Sequence, residues 1–197
     1  MRRTGIGIVI AAGILVSARA DAHLVTTGVG PFYDGAAHFF VSIEELLPIL
    51  ALALLAGLRG PRSGRFAVAL VPVAWLASGL VGLRFPMEAP PPLATTFLFL
   101  VPGVLLAWDR ELPPAAVAIV ALGVGLAVGF TNGAAMSASD GSALAVVGGV
   151  VCAFVVATLF ASLAVSHRVG WTRIAIRVAG SWIAAVGLLA LGWAFRS

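Results

Sequence analysis

"ALAVVGGVVCAFVVATLFASLAV", residues 143–165, runs for 23 residues without a charge. Coiled into an α-helix at 1.5 Å per residue it would be about 34 Å long, enough to cross a hydrocarbon core of about 30 Å. It has no polar face to turn toward water, so it reads as a membrane span. Five further stretches are long and apolar enough to do the same: Phe39–Leu58, Phe66–Leu83, Leu93–Trp108, Ala115–Thr131 and Ile174–Phe195. The breaks carry turn residues: Gly60-Pro61, Pro90-Pro91-Pro92, Pro113-Pro114, and the Gly/Ser/Asn-rich stretch from Asn132 to Ser142. Mean hydropathy is +1.10 over 197 residues, with 61% hydrophobic and 10% charged, far from a water-soluble globule. The expected fold is all-α, a polytopic membrane bundle of six transmembrane helices in contact with the lipid bilayer.

Residues 1–20 have a different layout. Arg2 and Arg3 precede a short apolar core that ends in Ala18-Arg19-Ala20. This is the pattern of a cleaved signal peptide, and the core is too short to span comfortably. Residues 21–197 then form one transmembrane helical domain. All 12 basic residues are Arg. Alternating crossings put Arg59, Arg62, Arg65, Arg110, Arg168, Arg173 and Arg177 on one side, against Arg84 and Arg196 on the other. The positive-inside rule makes the first side cytoplasmic and leaves the mature N-terminus outside. Charge scattered over loops in this way offers no basic face to nucleic acid. Cys152, alone in an apolar run, reads as packing. Trp75, Trp108, Trp171, Trp182 and Trp193 read as interfacial anchors, and Tyr33, Phe39 and Phe40 as an aromatic belt. Glycines 123, 125, 129 and 133 allow close backbone approach. Walker loops, Ser/His/Asp sets, CxxC pairs and HExxH are absent from the sequence, which argues against an enzyme.

Chemistry concentrates between Asp21 and Leu47, "DAHLVTTGVGPFYDGAAHFFVSIEELL". At 100° per residue, Asp34 and Glu45 fall about 40° and 20° to one side of His38, and Ser42 about 40° to the other, which makes one stripe on a continuous helix. Glu44 points about 120° away, so the two adjacent acids cannot serve one site. Ionisable groups at membrane depth are costly and face a cavity or a partner. An imidazole, a carboxylate and a hydroxyl on one face suit a divalent first-row metal ion or a proton relay. Asp34 reads equally well as a headgroup-level residue, a reading that fits His38 less than the buried one does. Cleavage after Ala20 would also expose Asp21-Ala22-His23, whose amine, two amide nitrogens and His23 imidazole can wrap Cu(II) or Ni(II) in a square plane.

The stretch from Ala22 to Gly57 resembles the opening of the HupE/UreJ family, in which a His-bearing exported end leads to a first helix carrying His-Pro-x-x-Gly-x-Asp-His. His38 matches the first histidine, Phe39 stands for the proline, Ser42 for the glycine, Glu44 for the aspartate and Glu45 for the last histidine. The family's later Gly-x-x-His-Gly-x-x-His segment resembles "GFTNGAAM", with Asn132 and Met136 at the histidine positions. The resemblance implies a bacterial inner-membrane protein that carries Ni2+, or Co2+ or Cu2+, as cargo rather than as a tightly bound cofactor. It also implies a mixed N/O/S ligand set drawn from His38, Glu44 or Glu45, Asn132 and Met136, in which the thioether would favour Cu(I). The simpler reading of Thr131, Asn132, Ser137, Ser139 and Asp140 is a polar outer loop.

Three functions follow. The first is a secondary permease for a divalent transition-metal ion, with the carboxylates exchanging protons for cargo. The second is a non-transporting membrane subunit or assembly factor docked on other membrane proteins. A small intramembrane enzyme ranks third.

Overall fold

A computed structural model describes residues 27–87, 89–139, 141–166 and 170–196. Among them are seven helices and no strand: α1 Pro31–Val41, α2 Ile43–Leu58, α3 Pro61–Gly82, α4 Pro92–Trp108, α5 Pro114–Ala138, α6 Ala143–Ser166 and α7 Trp171–Ala194. The signal peptide and His23 fall outside the described residues, as do Asp140, His167 and Arg168. Four helices open on proline in their first turn after a Gly or Pro cap, at Pro31, Pro61, Pro92 and Pro114. Proline costs nothing there, because the first amides have no partner inside the helix.

Four helices, α3, α5, α6 and α7, are long and apolar enough to cross a membrane, and α1 with α2 makes a fifth candidate bent by 72° at its break. At 17 residues α4 is shorter than these. Three expectations need correction. The first span is not continuous: Ser42 adopts extended backbone (φ −81°, ψ 98°) and separates α1 from α2. The Ser42 N–H closes α1 onto the His38 carbonyl, while its own carbonyl accepts from Glu45 and Leu46 to open α2. The span expected to stop at Thr131 continues to Ala138, making α5 the longest helix described. Thr131, Asn132 and Ser137 are therefore helical and not in an outer loop.

The bundle is built around α2, in which every residue from Ala51 to Leu58 is buried. A helix apolar on all sides is enclosed by its neighbours. One core cluster, with Ile49, Leu52, Trp75, Val128 and Val146, lies against α3, α5 and α6; a second, with Leu54, Leu55, Phe99, Leu106 and Ile183, joins α2 to α4 and α7. The tightest pairs are α3 with α5 and α4 with α7. Along α5 the glycines at 125, 129 and 133 let its backbone lie on α3, and a Cβ on Gly133 would collide with the Gly79 carbonyl. Gly123 is the exception, since nothing lies within 4 Å of where its Cβ would stand.

At the Arg-rich end a buried carboxylate ties three helices together. Asp109 caps α4 in the left-handed region (φ 53°), a conformation that aspartate tolerates better than most residues. Its carboxylate accepts from Arg59 at the end of α2 (2.7 Å) and from Arg173 in α7 (2.5 Å). Burial alone would raise the Asp109 pKa, but hydrogen bonds and attraction from Arg173 and Arg59 hold it below its ordinary value.

Candidate functional site

The opposite half of the bundle holds the polar residues of α1 and α2. His38, in the last turn of α1, is 7% exposed and Glu45, in the first turn of α2, is 5% exposed. The 72° turn at Ser42 folds one toward the other. His38 Nε2 lies 3.4 Å from Glu45 Oε1 and 3.0 Å from Ser42 Oγ. Asn132 of α5, 1% exposed, donates from Nδ2 to the same Glu45 oxygen at 2.8 Å. Its Oδ1 accepts the indole N–H of Trp75 from α3 at 3.4 Å. Phe39 packs against the Trp75 ring, with centroids 5.8 Å apart. Residues of α1, α2, α3 and α5 are thus linked in one cluster, with His38 and Asn132 on the carboxylate and Trp75 behind the amide. Its second oxygen, Oε2, is buried without a hydrogen-bond partner.

The residues singled out from sequence divide clearly. His38, Ser42, Glu45 and Asn132 are brought together. Glu44 is exposed, outside the hydrogen bonds and ion pair that join these four. Asp34 turns away from the stripe predicted for it and accepts from the Thr27 N–H and hydroxyl at 2.6 and 2.7 Å. Met136, one turn beyond Asn132, is fully buried in the apolar core. Two aromatic expectations are overturned: Phe39 and Trp75 are completely buried, whereas Trp108, Trp171, Trp182 and Trp193 are exposed, as interfacial residues are. Trp75 is the participant that sequence reasoning missed. Its place in the interior of α3, unlike that of Trp108 or Trp193 at a helix end, was the available signal.

Two donors, each bonded at about 2.1 Å to one ion, stand roughly 3.0–3.4 Å apart for angles between 90° and the tetrahedral value. The spacing of His38 Nε2 and Glu45 Oε1 falls in this range. Among the described residues no group of three His, Cys, Asp or Glu converges. The arrangement can therefore hold a proton on Glu45, or offer an imidazole and a carboxylate to a cation with the Asn132 amide beside them. Helix α1 points the negative end of its dipole at the break and α2 the positive end. Broken helices in membrane carriers place ion and substrate sites in the same manner.

The fold and the site define a multi-pass helical membrane protein with a polar cluster enclosed between a broken helix and its neighbours. A family model described as HupE / UreJ protein matches residues 10–190, and the chain belongs to that family. No curated protein and no solved structure matches it significantly.

Proposed function

We propose that the chain is a secondary permease for a divalent transition-metal ion, nickel first, with cobalt or copper as alternates, and that it is not an enzyme. The observation that carries this reading is Glu45: a buried carboxylate 3.4 Å from an imidazole and 2.8 Å from an amide donor, with one oxygen lacking a hydrogen-bond partner among the described residues. A proton or a cation satisfies such an oxygen, and exchange of one for the other couples cargo to protons. Family membership supports the cargo class. In this reading α1–α2 counts as one crossing and α4 as another, giving six. The Arg-rich end is cytoplasmic, the membrane is the bacterial inner membrane, and the mature N-terminus, with His23 near its start once residues 1–20 are removed, faces the same side as the site.

A second reading, a non-transporting subunit docked on other membrane proteins, draws on the fact that no group of three His, Cys, Asp or Glu converges among the described residues. Nickel uptake in a bacterial host stripped of its own nickel importers separates the two. Glu45→Gln and His38→Ala are expected to reduce uptake by at least the roughly tenfold that even outer-shell partners of metal sites cost. Glu44→Gln, altered at an exposed position, keeps it. Uptake unchanged in both site variants at equal protein level overturns the permease and leaves the docked subunit.

A further inference from the structure

Far from Glu45, at the Arg-rich end, an open groove of about 670 Å³ runs between α4 and α7. Its walls are Val104, Ala107 and Trp108 on one side and Ser181, Ala185 and Leu188 on the other. Small residues hold the two helices close at its floor, where a Cβ on Gly103 would touch the Ala184 backbone.

The groove is apolar along its length and cationic only at its mouth. Arg177, exposed and one turn before Ser181, donates its Nε–H to the Ala107 carbonyl at 3.2 Å, which holds the guanidinium against the rim. Arg110 lies over the Trp108 ring, 5.1 Å from its centroid. Of the two acids that flank Arg110, Asp109 is engaged by Arg59 and Arg173. Taken together, Arg59, Arg110, Arg173 and Arg177 exceed Asp109 and Glu111 by two charges, four against two. Leu188 stands 11 residues beyond Arg177, about 16 Å along the helix axis. One leaflet of a 30 Å hydrocarbon core is about 15 Å deep.

We propose that this groove is a binding site for one anionic phospholipid of the leaflet at the Arg-rich end. The phosphate sits between Arg110 and Arg177, Trp108 lies at the glycerol level, and an acyl chain follows the α4–α7 seam to Leu188. Charge at the mouth and hydrocarbon below reproduce the polarity order of a lipid molecule. A zwitterionic lipid brings the same phosphate with a cationic group that the two guanidiniums repel, and free phosphate answers only the mouth.

The test is native mass spectrometry of the full chain released from detergent micelles carrying phosphatidylglycerol or phosphatidylcholine with identical acyl chains. Wild-type protein is expected to retain phosphatidylglycerol about tenfold better, because its headgroup is a net anion facing two guanidiniums whereas that of phosphatidylcholine is neutral overall. Arg110→Gln with Arg177→Gln removes that preference; Arg110→Gln alone, which touches only the Trp108 ring, weakens it in a chain whose α4–α7 contacts are intact. Ala185→Trp, which fills the groove with both cations in place, lowers retention of both lipids. Equal retention of the two lipids by the wild type overturns the proposal. So does an unchanged preference in the double variant, or displacement of phosphatidylglycerol by millimolar inorganic phosphate.

Discussion

Trp75 decides which way the Asn132 amide faces. An indole N–H can only donate, so it takes the Asn132 oxygen and leaves the amide nitrogen to donate to Glu45. Trp75→Phe removes the indole N–H and orphans a buried carbonyl, at a cost of about 1–3 kcal/mol, to which the space left by the smaller ring adds. The expected result is a lower unfolding temperature in detergent together with reduced nickel uptake; an unchanged midpoint would show that the indole bond orients nothing. Half of this cluster was legible beforehand. The 100° rule separates Glu45 from Glu44 because both lie after the break, on the same helix. Asn132 was reached only through the family resemblance and Trp75 not at all, because their meaning lies in contacts across 87 and 57 residues of sequence, which local spacing does not encode.

The helices themselves follow from patterning more closely than their ends do. Proline after a Gly or Pro cap marks the start of four of them, whereas the end of α5 was placed too early. Gly, Ser and Asn at 132–142 resemble a loop in composition, yet in a bundle small and polar residues also serve helix contact. The break at Ser42 had a signature as well. Ser42-Ile43-Glu44-Glu45 has the spacing of a capping box, and acids in a first turn favour a helix start. The capping bond is not made: Ser42 Oγ goes to His38, and Glu45 turns inward to Asn132. The glycine seam between α3 and α5 gives a sharp comparison. Gly133→Leu drives a side chain into the Gly79 carbonyl and is expected to destabilise by more than about 3 kcal/mol, with loss of monodisperse protein on size exclusion. Gly123→Leu, on the same helix with open space around it, is expected to behave as wild type.

Across the whole molecule, α2 stands between two apolar clusters, and the Asp109 ion pairs fasten its far end to α4 and α7. Removing one partner of a buried ion pair leaves the other charge uncompensated, so Asp109→Asn is expected to cost about 3–5 kcal/mol in detergent unfolding. Because the folded Asp109 carboxyl sits below its ordinary value of 3.8, its contribution is complete above that pH and disappears as pH falls through the lower folded value. Acid should therefore weaken the wild type more than Asp109→Asn, a difference measurable as the slope of the unfolding midpoint against pH below 3.8. The enclosure of Glu45 also bears on biogenesis. Asn132, which donates to its carboxylate, is 87 residues further along the chain. At 5–20 residues per second a ribosome takes about 4–17 s to make that stretch. Through that interval Glu45 has His38 beside it but not its amide donor, so the first two helices cannot close their polar cluster until the later helices arrive.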